Sequence, residues 1–435
     1  MLRTPWGDAD ALEEQKLPPG GGRREAVRRE QRRRLFAATV AACARRGYVE
    51  TSVEDLLELA GLSRGTFYKH FSDKLACFCA MEEEAVSGAT DRVAERVAAG
   101  GSGDSRAREG LRAVLELCAD QPDAARVCLV ESYAAGQPGG APIAAAMQRL
   151  VALADESIRA IPGREEMPRE MVRAIVGGWY QVIHRHLREL RAAELPGLDE
   201  ELWEWAMTYR PPPRPLRRPP TRGYVDLGAT APPFAAYSPE QRIIRAFAAV
   251  VSEMGFQATT VSNVVAAASI SQTTFYQYFA DKTDLLAAAL ESSGAQMIAA
   301  SLPSALRAPD PLTAVRVGIE GTCFFLAAER DFAWLRMVEV YSAGPAAIAL
   351  RNRSGTQLFE TLLDPLEDRL LELPPVALEA TVGAVYGVIY NEIMAGRTAR
   401  LPDVTPLLTY MALAPVAGAE RAAEVATATP APRDG

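Results

Sequence analysis

Side chains that donate hydrogen bonds or carry positive charge recur in this chain at the same spacing in two places. Ser63, Arg64, Gly65, Thr66, Tyr68, Lys69, His70 and Lys74 occupy a thirteen-residue frame from Leu62 to Lys74. Ser271, Gln272, Thr273, Thr274, Tyr276, Gln277, Tyr278 and Lys282 occupy the same frame 208 positions later, from Ile270 to Lys282. Hydroxyl, imidazole and ammonium groups in such a set suit phosphate oxygens, which position a duplex without reading it. The residues that differ suit base edges: a guanidinium pairs with O6 and N7 of guanine, a carboxamide with N6 and N7 of adenine. Arg64 against Gln272 therefore predicts an asymmetric target, guanine in one half and adenine in the other, with a phosphate contact by Arg64 left open.

The flanking residues predict the helices that hold these groups. Leu35, Phe36, Thr39, Val40 and Cys43 fall at helical spacing from about Arg28 onward, and Gly47 ends that helix. Ser52 opens a second helix with Asp55 three residues on as a capping box, Gly61 makes a turn, Ser63 caps a short third helix and Asp73 a fourth. Gly255, Thr260, Ser271 and Asp281 repeat the order. Phe67, Phe71, Phe275 and Phe279 are core in this scheme, which leaves the polar side of each third helix facing outward.

This arrangement resembles the DNA-binding end of the TetR family of transcriptional repressors, in which matching tyrosines and lysines contact the DNA backbone. The repeat continues beyond it. Val130-Glu131-Ser132-Tyr133-Ala134-Ala135-Gly136 matches Val338-Glu339-Val340-Tyr341-Ser342-Ala343-Gly344, and Gly177-Gly178-Trp179-Tyr180 matches Gly383-Ala384-Val385-Tyr386 at an offset two shorter. The expected fold is all-α, two tandem TetR-like units, each an N-terminal three-helix helix-turn-helix domain followed by a helical ligand and dimerisation domain. The expected boundaries are a disordered basic arm (1–27), heads at 28–74 and 238–282, helical domains at 75–208 and 283–415, a Pro/Arg-rich linker (209–237) and a disordered tail (416–435).

The resemblance implies a repressor relieved by a small-molecule effector, with double-stranded DNA as partner through its major groove. It also implies a dimer interface built from the last two helices of each unit, near 167–191 and 198–208, and near 375–395 and 403–414. Two units in one polypeptide imply an intrachain pseudo-dimer and leave a further homodimer open. Trp179, Tyr180, Trp203 and Trp205 are expected to face Val385, Tyr386, Tyr390 and Leu407 there. Glu131, Tyr133, Glu339, Tyr341, Trp334, Phe324 and Phe325 are candidates for the cavity walls or the core. Loss of Gly65 and Lys69 in the second copy (Thr273, Gln277) leaves a second reading, in which that head no longer binds DNA.

A formal charge of −8 does not advertise nucleic-acid binding, so charge is read locally. Arg23, Arg24, Arg28, Arg29, Arg32, Arg33 and Arg34 make a basic run before the first head, and only Arg242 and Arg245 answer it in the second. The six cysteines and three histidines have no metal-ligand spacing, and no nucleophile–base pair or phosphate loop is present. The reading is therefore a non-enzyme without cofactor or metal. With neither a secretory core nor a run of about 18 apolar residues, it is also cytoplasmic and away from membranes.

Overall fold

Among the described residues, nine α-helices of each copy follow one another in the same order in the computed structural model, which describes residues 3–8, 24–217, 237–366 and 372–428. The first set is α1 (Arg24–Arg46), α2 (Val53–Ala60), α3 (Arg64–His70), α4 (Lys74–Ala99), α5 (Gly103–Asp120), α6 (Pro122–Leu129), α7 (Gln137–Arg159), α8 (Arg169–Arg188) and α9 (Asp199–Thr208). The second is α10 (Pro239–Met254), α11 (Val261–Ala268), α12 (Gln272–Tyr278), α13 (Lys282–Ala305), α14 (Pro311–Ala328), α15 (Arg330–Met337), α16 (Pro345–Leu363), α17 (Ala377–Met394) and α18 (Thr405–Thr427). The fold is all-α, and the strands among the described residues are a two-residue antiparallel pair, Arg3–Thr4 with Gly7–Asp8.

The local signals act where the sequence puts them. Ser52, Ser63 and Asp73 accept hydrogen bonds from the backbone of Asp55, Thr66 and Ala76, and Thr260, Ser271 and Asp281 cap α11, α12 and α13 in the same way. Each such cap is worth about 1 kcal/mol. Gly47 and Gly255 both take φ of +81°, which a β-carbon disfavours, and so turn the chain out of α1 and α10. Between α2 and α3 the left-handed position is Gly61, whereas its counterpart between α11 and α12 is Ser269.

Contact density divides the chain into two units: Met1–Glu165 with Trp179–Trp203, and Glu166–Gly178 with Glu204–Gly435. In the first, Leu35, Phe36, Val40, Leu56, Phe67, Phe71 and Phe78 form one core across α1 to α4. In the second, Ile243, Phe247, Val251, Val264, Phe275 and Phe279 do the same for α10 to α12. The second unit also contains the start of α8 and the end of α9. There Trp205 donates its indole N–H to Thr381 Oγ1 at 2.9 Å, the Tyr209 hydroxyl donates to the Met411 carbonyl at 2.9 Å, and the Tyr410 hydroxyl donates to the Arg210 carbonyl at 2.8 Å. Gly178 lets these elements close, because a β-carbon on it would lie 2.4 Å from the Trp205 ring and 2.5 Å from the Ala380 carbonyl. Buried indole and phenol groups need such partners, which makes the packing specific as well as apolar.

Two expectations change. Residues 3–8 do not form part of a disordered arm: Trp6 packs edge-on against Phe36 with ring centroids 5.1 Å apart and donates to Glu84 at 2.7 Å, and α1 already begins at Arg24. The tail does not end its structure at 415. The chain turns at Gly418 (φ +75°) and continues helical to Thr427, because Ala422, Ala423, Val425 and Ala426 are buried. Tyr180 shares a hydroxyl hydrogen bond with Tyr133 at 2.8 Å, and Tyr386 stacks on Arg351. The expectations for residues 9–23, 218–236 and 429–435 lie outside the described residues.

α13 and α14 are each long and apolar enough to cross a membrane by length and composition alone. They pack on one another, and Ser293, Gly294, Ser301 and Gly318 lie on their faces inside the second unit.

Candidate DNA interface

The outward side of α3 carries Arg64, Gly65, Tyr68 and Lys69, all exposed, over a fully buried Phe67. α12 presents Gln272, Thr273, Tyr276, Gln277 and Tyr278 over a fully buried Phe275. The tyrosines lean on these phenylalanines edge to face, with centroids 5.3 Å apart for Tyr68 and 5.2 Å for Tyr276. Each ring packs on its phenylalanine while about half of the tyrosine stays exposed. Ser63 and Ser271 use their hydroxyls as caps, bonded to Thr66 Oγ1 and Thr274 Oγ1 at 2.9 and 2.8 Å. Gly65 has open space above it, the nearest atom to an added β-carbon being Ser63 Oγ at 4.0 Å, so Thr273 occupies the matching place without strain.

Arg64 is the cation of α3 with a carboxylate close by, Glu54 at 3.2 Å, and its guanidinium lies 5.9 Å from the Tyr68 ring. Both partners are exposed, so solvent screening leaves the pair weak. His70 is half-buried, with Nε2 3.0 Å from Gln31 Oε1. Burial first, then the charges of Arg28 and Arg32, lower its pKa, which keeps the ring neutral at pH 7.

Lys74 is arranged differently from the rest. Its ammonium donates to the carbonyls of Tyr48 at 2.8 Å and Thr51 at 2.6 Å and sits 4.3 Å from the centre of the Tyr48 ring. Lys282 repeats this on the Phe256 carbonyl at 2.8 Å and the Phe256 ring at 4.4 Å. Burial lowers the pKa of both. These lysines pin the turn after the first helix to the start of the fourth. Arg28, Arg29 and Arg32 run along exposed positions of α1, whereas Arg34 is buried on Glu30 at 3.1 Å.

Two acidic residues that the sequence offered only as cavity-wall or core candidates connect each head to the helices behind it. Glu131 accepts from the backbone N–H of Tyr48, and Glu339 accepts from that of Phe256. Behind Glu131, Cys128 and Leu129 at the end of α6 help line a cavity of about 130 Å³ together with Val86, Ala89, Val93 and Leu117. Those walls are almost wholly apolar. The signal for Glu131 and Glu339 was present, since the segment after α6 is one of the best-kept parts of the repeat; its role needed the fold.

A family model described as "Bacterial regulatory proteins, tetR family" matches residues 35–81 and again residues 243–289. Each match runs from within the first helix of a head, through the second and third, to the start of the fourth. No curated protein matches the chain. Among solved structures, the fatty acid degradation regulator FadR from Bacillus halodurans is 17% identical, covering 40% of this chain and 96% of its own, with a TM-score of 0.36. FadR from Bacillus subtilis, solved with stearoyl-CoA, gives 17%, 40%, 96% and 0.37. The TetR-family regulator PfmR from Thermus thermophilus gives 25%, 40%, 96% and 0.33. The double family match, on the two stretches whose caps, cores and outward polar faces coincide, shows two TetR-type DNA-binding heads in one polypeptide, as in a tandem TetR-like regulator.

Proposed function

We propose that this regulator represses transcription as an intrachain pseudo-dimer, its two heads taking the two halves of one operator, and that a small molecule releases it. The observation that carries this reading is the composition of the second unit. α17 and α18 pack there with the start of α8 and the end of α9 through the Trp205–Thr381 and Tyr209–Met411 hydrogen bonds. Helices that would pair two chains are thus supplied by one, and a covalent link raises the effective concentration of the partner into the millimolar range for short linkers. Along the chain we take heads at 28–74 and 238–282 and helical domains at 75–208 and 283–415, the first of which lends 166–178 and 204–208 to the second unit, and such a protein works in the cytoplasm, where the DNA is.

Ser63, Arg64, Gly65, Thr66, Tyr68, Lys69, His70 and Lys74 form the first DNA face in this reading. Ser271, Gln272, Thr273, Thr274, Tyr276, Gln277, Tyr278 and Lys282 form the second. Lys69 and the two tyrosines at 68 and 276 reach phosphates, while Lys74 and Lys282 act chiefly by holding the turn that orients them. The effector of the first unit is apolar and uncharged, to suit the cavity behind α6. Filling that cavity moves the end of α6, hence Glu131, hence the Tyr48 turn. An effector acts only through its different affinity for the two positions of that element. The protein acts by binding, not by catalysis.

Selection of binding sites from random duplexes tests the DNA half of the proposal. Enrichment of a two-part site with guanine in one half and adenine in the other is expected. Two identical halves would refute the split assigned to Arg64 and Gln272, and no enrichment at low salt would refute operator binding.

A further inference from the structure

The same place in the two units is built from opposite chemistry. In the first it is the apolar cavity, whose walls include Val86, Cys128, Ile143 and Ala146. In the second the corresponding positions, 208 residues on, are Gly294, Arg336, Arg351 and Ser354. Arg336 is 2% exposed and Arg351 6% exposed. Two other buried arginines have acids: Arg34 has Glu30, and Arg316 has Glu320 at 2.8 Å. Arg336 and Arg351 have no carboxylate partner among the described residues. Arg336 donates instead to the Leu290 carbonyl at 2.8 Å and to Ser354 Oγ at 2.6 Å, and Arg351 donates to the Tyr341 hydroxyl at 2.9 Å.

Arginine is almost never fully buried without a counter-charge, because desolvation of a guanidinium is costly unless something anionic repays it. Two in one place make the cost larger. Burial, and after it the neighbouring Arg351 charge, lowers the Arg336 pKa to about 10, with Tyr386 opposing. Room for this guanidinium depends on Gly294: a β-carbon there would come within 3.3 Å of Arg336 Nη1 and 2.8 Å of Ser354. The first unit has Val86 in that position. Arg351 lies 5.3 Å from the ring centres of both Tyr341 and Tyr386. Both tyrosine hydroxyls also bond to this guanidinium, Tyr341 at 2.9 Å, and a planar acceptor would take the edge donors they leave. The Arg351 Nε on that edge is buried and has no hydrogen-bond partner.

We infer that the second unit carries an anion site at Arg351, backed by Arg336, which takes the carboxylate or phosphate monoester of a small organic ligand. This rests on the reading that each helical domain senses a ligand, and it splits that role: a neutral apolar molecule in the first unit, an anion in the second. Tyr341 adds a hydroxyl beside the anion.

Calorimetric titration of the full chain without DNA tests the inference, with octanoate, octyl phosphate and octanol as probes. One saturable site per chain is expected for octanoate or octyl phosphate, and which of the two binds tells a carboxylate ligand from a phosphate one. Arg351→Met is expected to weaken that site at least tenfold and Tyr341→Phe several-fold. Ala89→Trp, which fills the first cavity, is expected to abolish octanol binding and leave the anion unaffected. If Arg351→Met does not fold by circular dichroism, Tyr341→Phe carries the comparison. No saturable anion binding would overturn the inference. So would an affinity unchanged in the folded variants, or one lost in Ala89→Trp. DNA is absent from every titration, so these outcomes stand apart from the success or failure of operator binding.

Discussion

Glu131 Oε2 accepts a hydrogen bond from the backbone N–H of Tyr48 at 2.9 Å, and Glu339 Oε2 accepts one from Phe256 at the same distance. Each bond joins the turn after the first helix of a head to the segment that follows the sixth helix of its unit. Gly47 is part of the arrangement, since a β-carbon on it would lie 3.2 Å from Glu131. In the first unit that segment continues directly from α6, whose last residues line the cavity. A head is thus tied to the helical domain behind it by this charge-assisted bond, alongside Arg126 on the Ala44 carbonyl in the first unit and Arg245 on Glu329 in the second.

Breaking that bond should loosen a head before it unfolds one. Glu131→Ala is expected to cost about 1–3 kcal/mol, the usual loss when a buried partner is removed. It should also raise amide exchange in the Tyr48–Thr51 turn and leave the Phe256 turn unchanged. Glu339→Ala should do the reverse. Equal exchange in both turns after either substitution would rule out separate couplings.

The lysines and the tyrosines should separate stability from DNA affinity. Lys74→Met leaves the Tyr48 and Thr51 carbonyls without their donor, so thermal unfolding is expected to move down. Tyr68→Phe removes only an exposed hydroxyl and should leave unfolding unchanged. Its effect belongs to DNA binding, with the slope of log affinity against log salt little changed because no charge is lost. Lys69→Gln should reduce that slope by about one. A Lys74→Met protein as stable as the parent would contradict the anchoring role.

The heads were largely legible in the sequence because their signals are local. Serine, threonine and aspartate caps, glycine turns and paired phenylalanines each act within a few residues. The N-terminal ribbon was not, because Trp6 gains its place from Phe36 and Glu84, far along the chain. The helix after Gly418 was missed for a related reason: its alanines gain stability from burial, which composition does not reveal. Arg336 and Arg351 were hidden because they match no motif. Aligning the copies at 208 positions sets them against Cys128 and Ile143, an unusual exchange that was there to be found.

Glu82 predicts an inverted pH dependence. It is fully buried in α4, neither carboxyl oxygen has a hydrogen-bond partner, and burial pushes its pKa from 4.5 up to about 9. The folded chain therefore keeps a proton that the unfolded chain releases, and this group's contribution to stability falls as pH rises from about 4.5 to about 9. Glu82→Gln, or Glu82→Leu after the Leu290 counterpart, is expected to raise stability by roughly a few kcal/mol at pH 8.5 and by much less at pH 5. Unfolding midpoints at the two pH values measure it, and an equal gain at both would contradict the assignment.

Gly178 tests the close packing within the second unit. Gly178→Val puts methyl groups into the Trp205 ring and the Ala380 carbonyl, and overpacking of this kind costs about 1–3 kcal/mol or more. The Trp205 emission should shift to the red as that ring gains water, while an exposed control such as Gly197→Ala should leave it unchanged. Unaltered emission and stability in Gly178→Val would mean that these helices do not pack as described.

The central claim is that one chain supplies a whole dimer. Sedimentation of the purified protein with a duplex selected from random DNA, read for mass and stoichiometry, addresses it directly. One chain of 435 residues per duplex is the predicted result, with Tyr68→Phe and Tyr276→Phe each weakening the complex. Two chains per duplex, an assembly with four heads on one site, would contradict it.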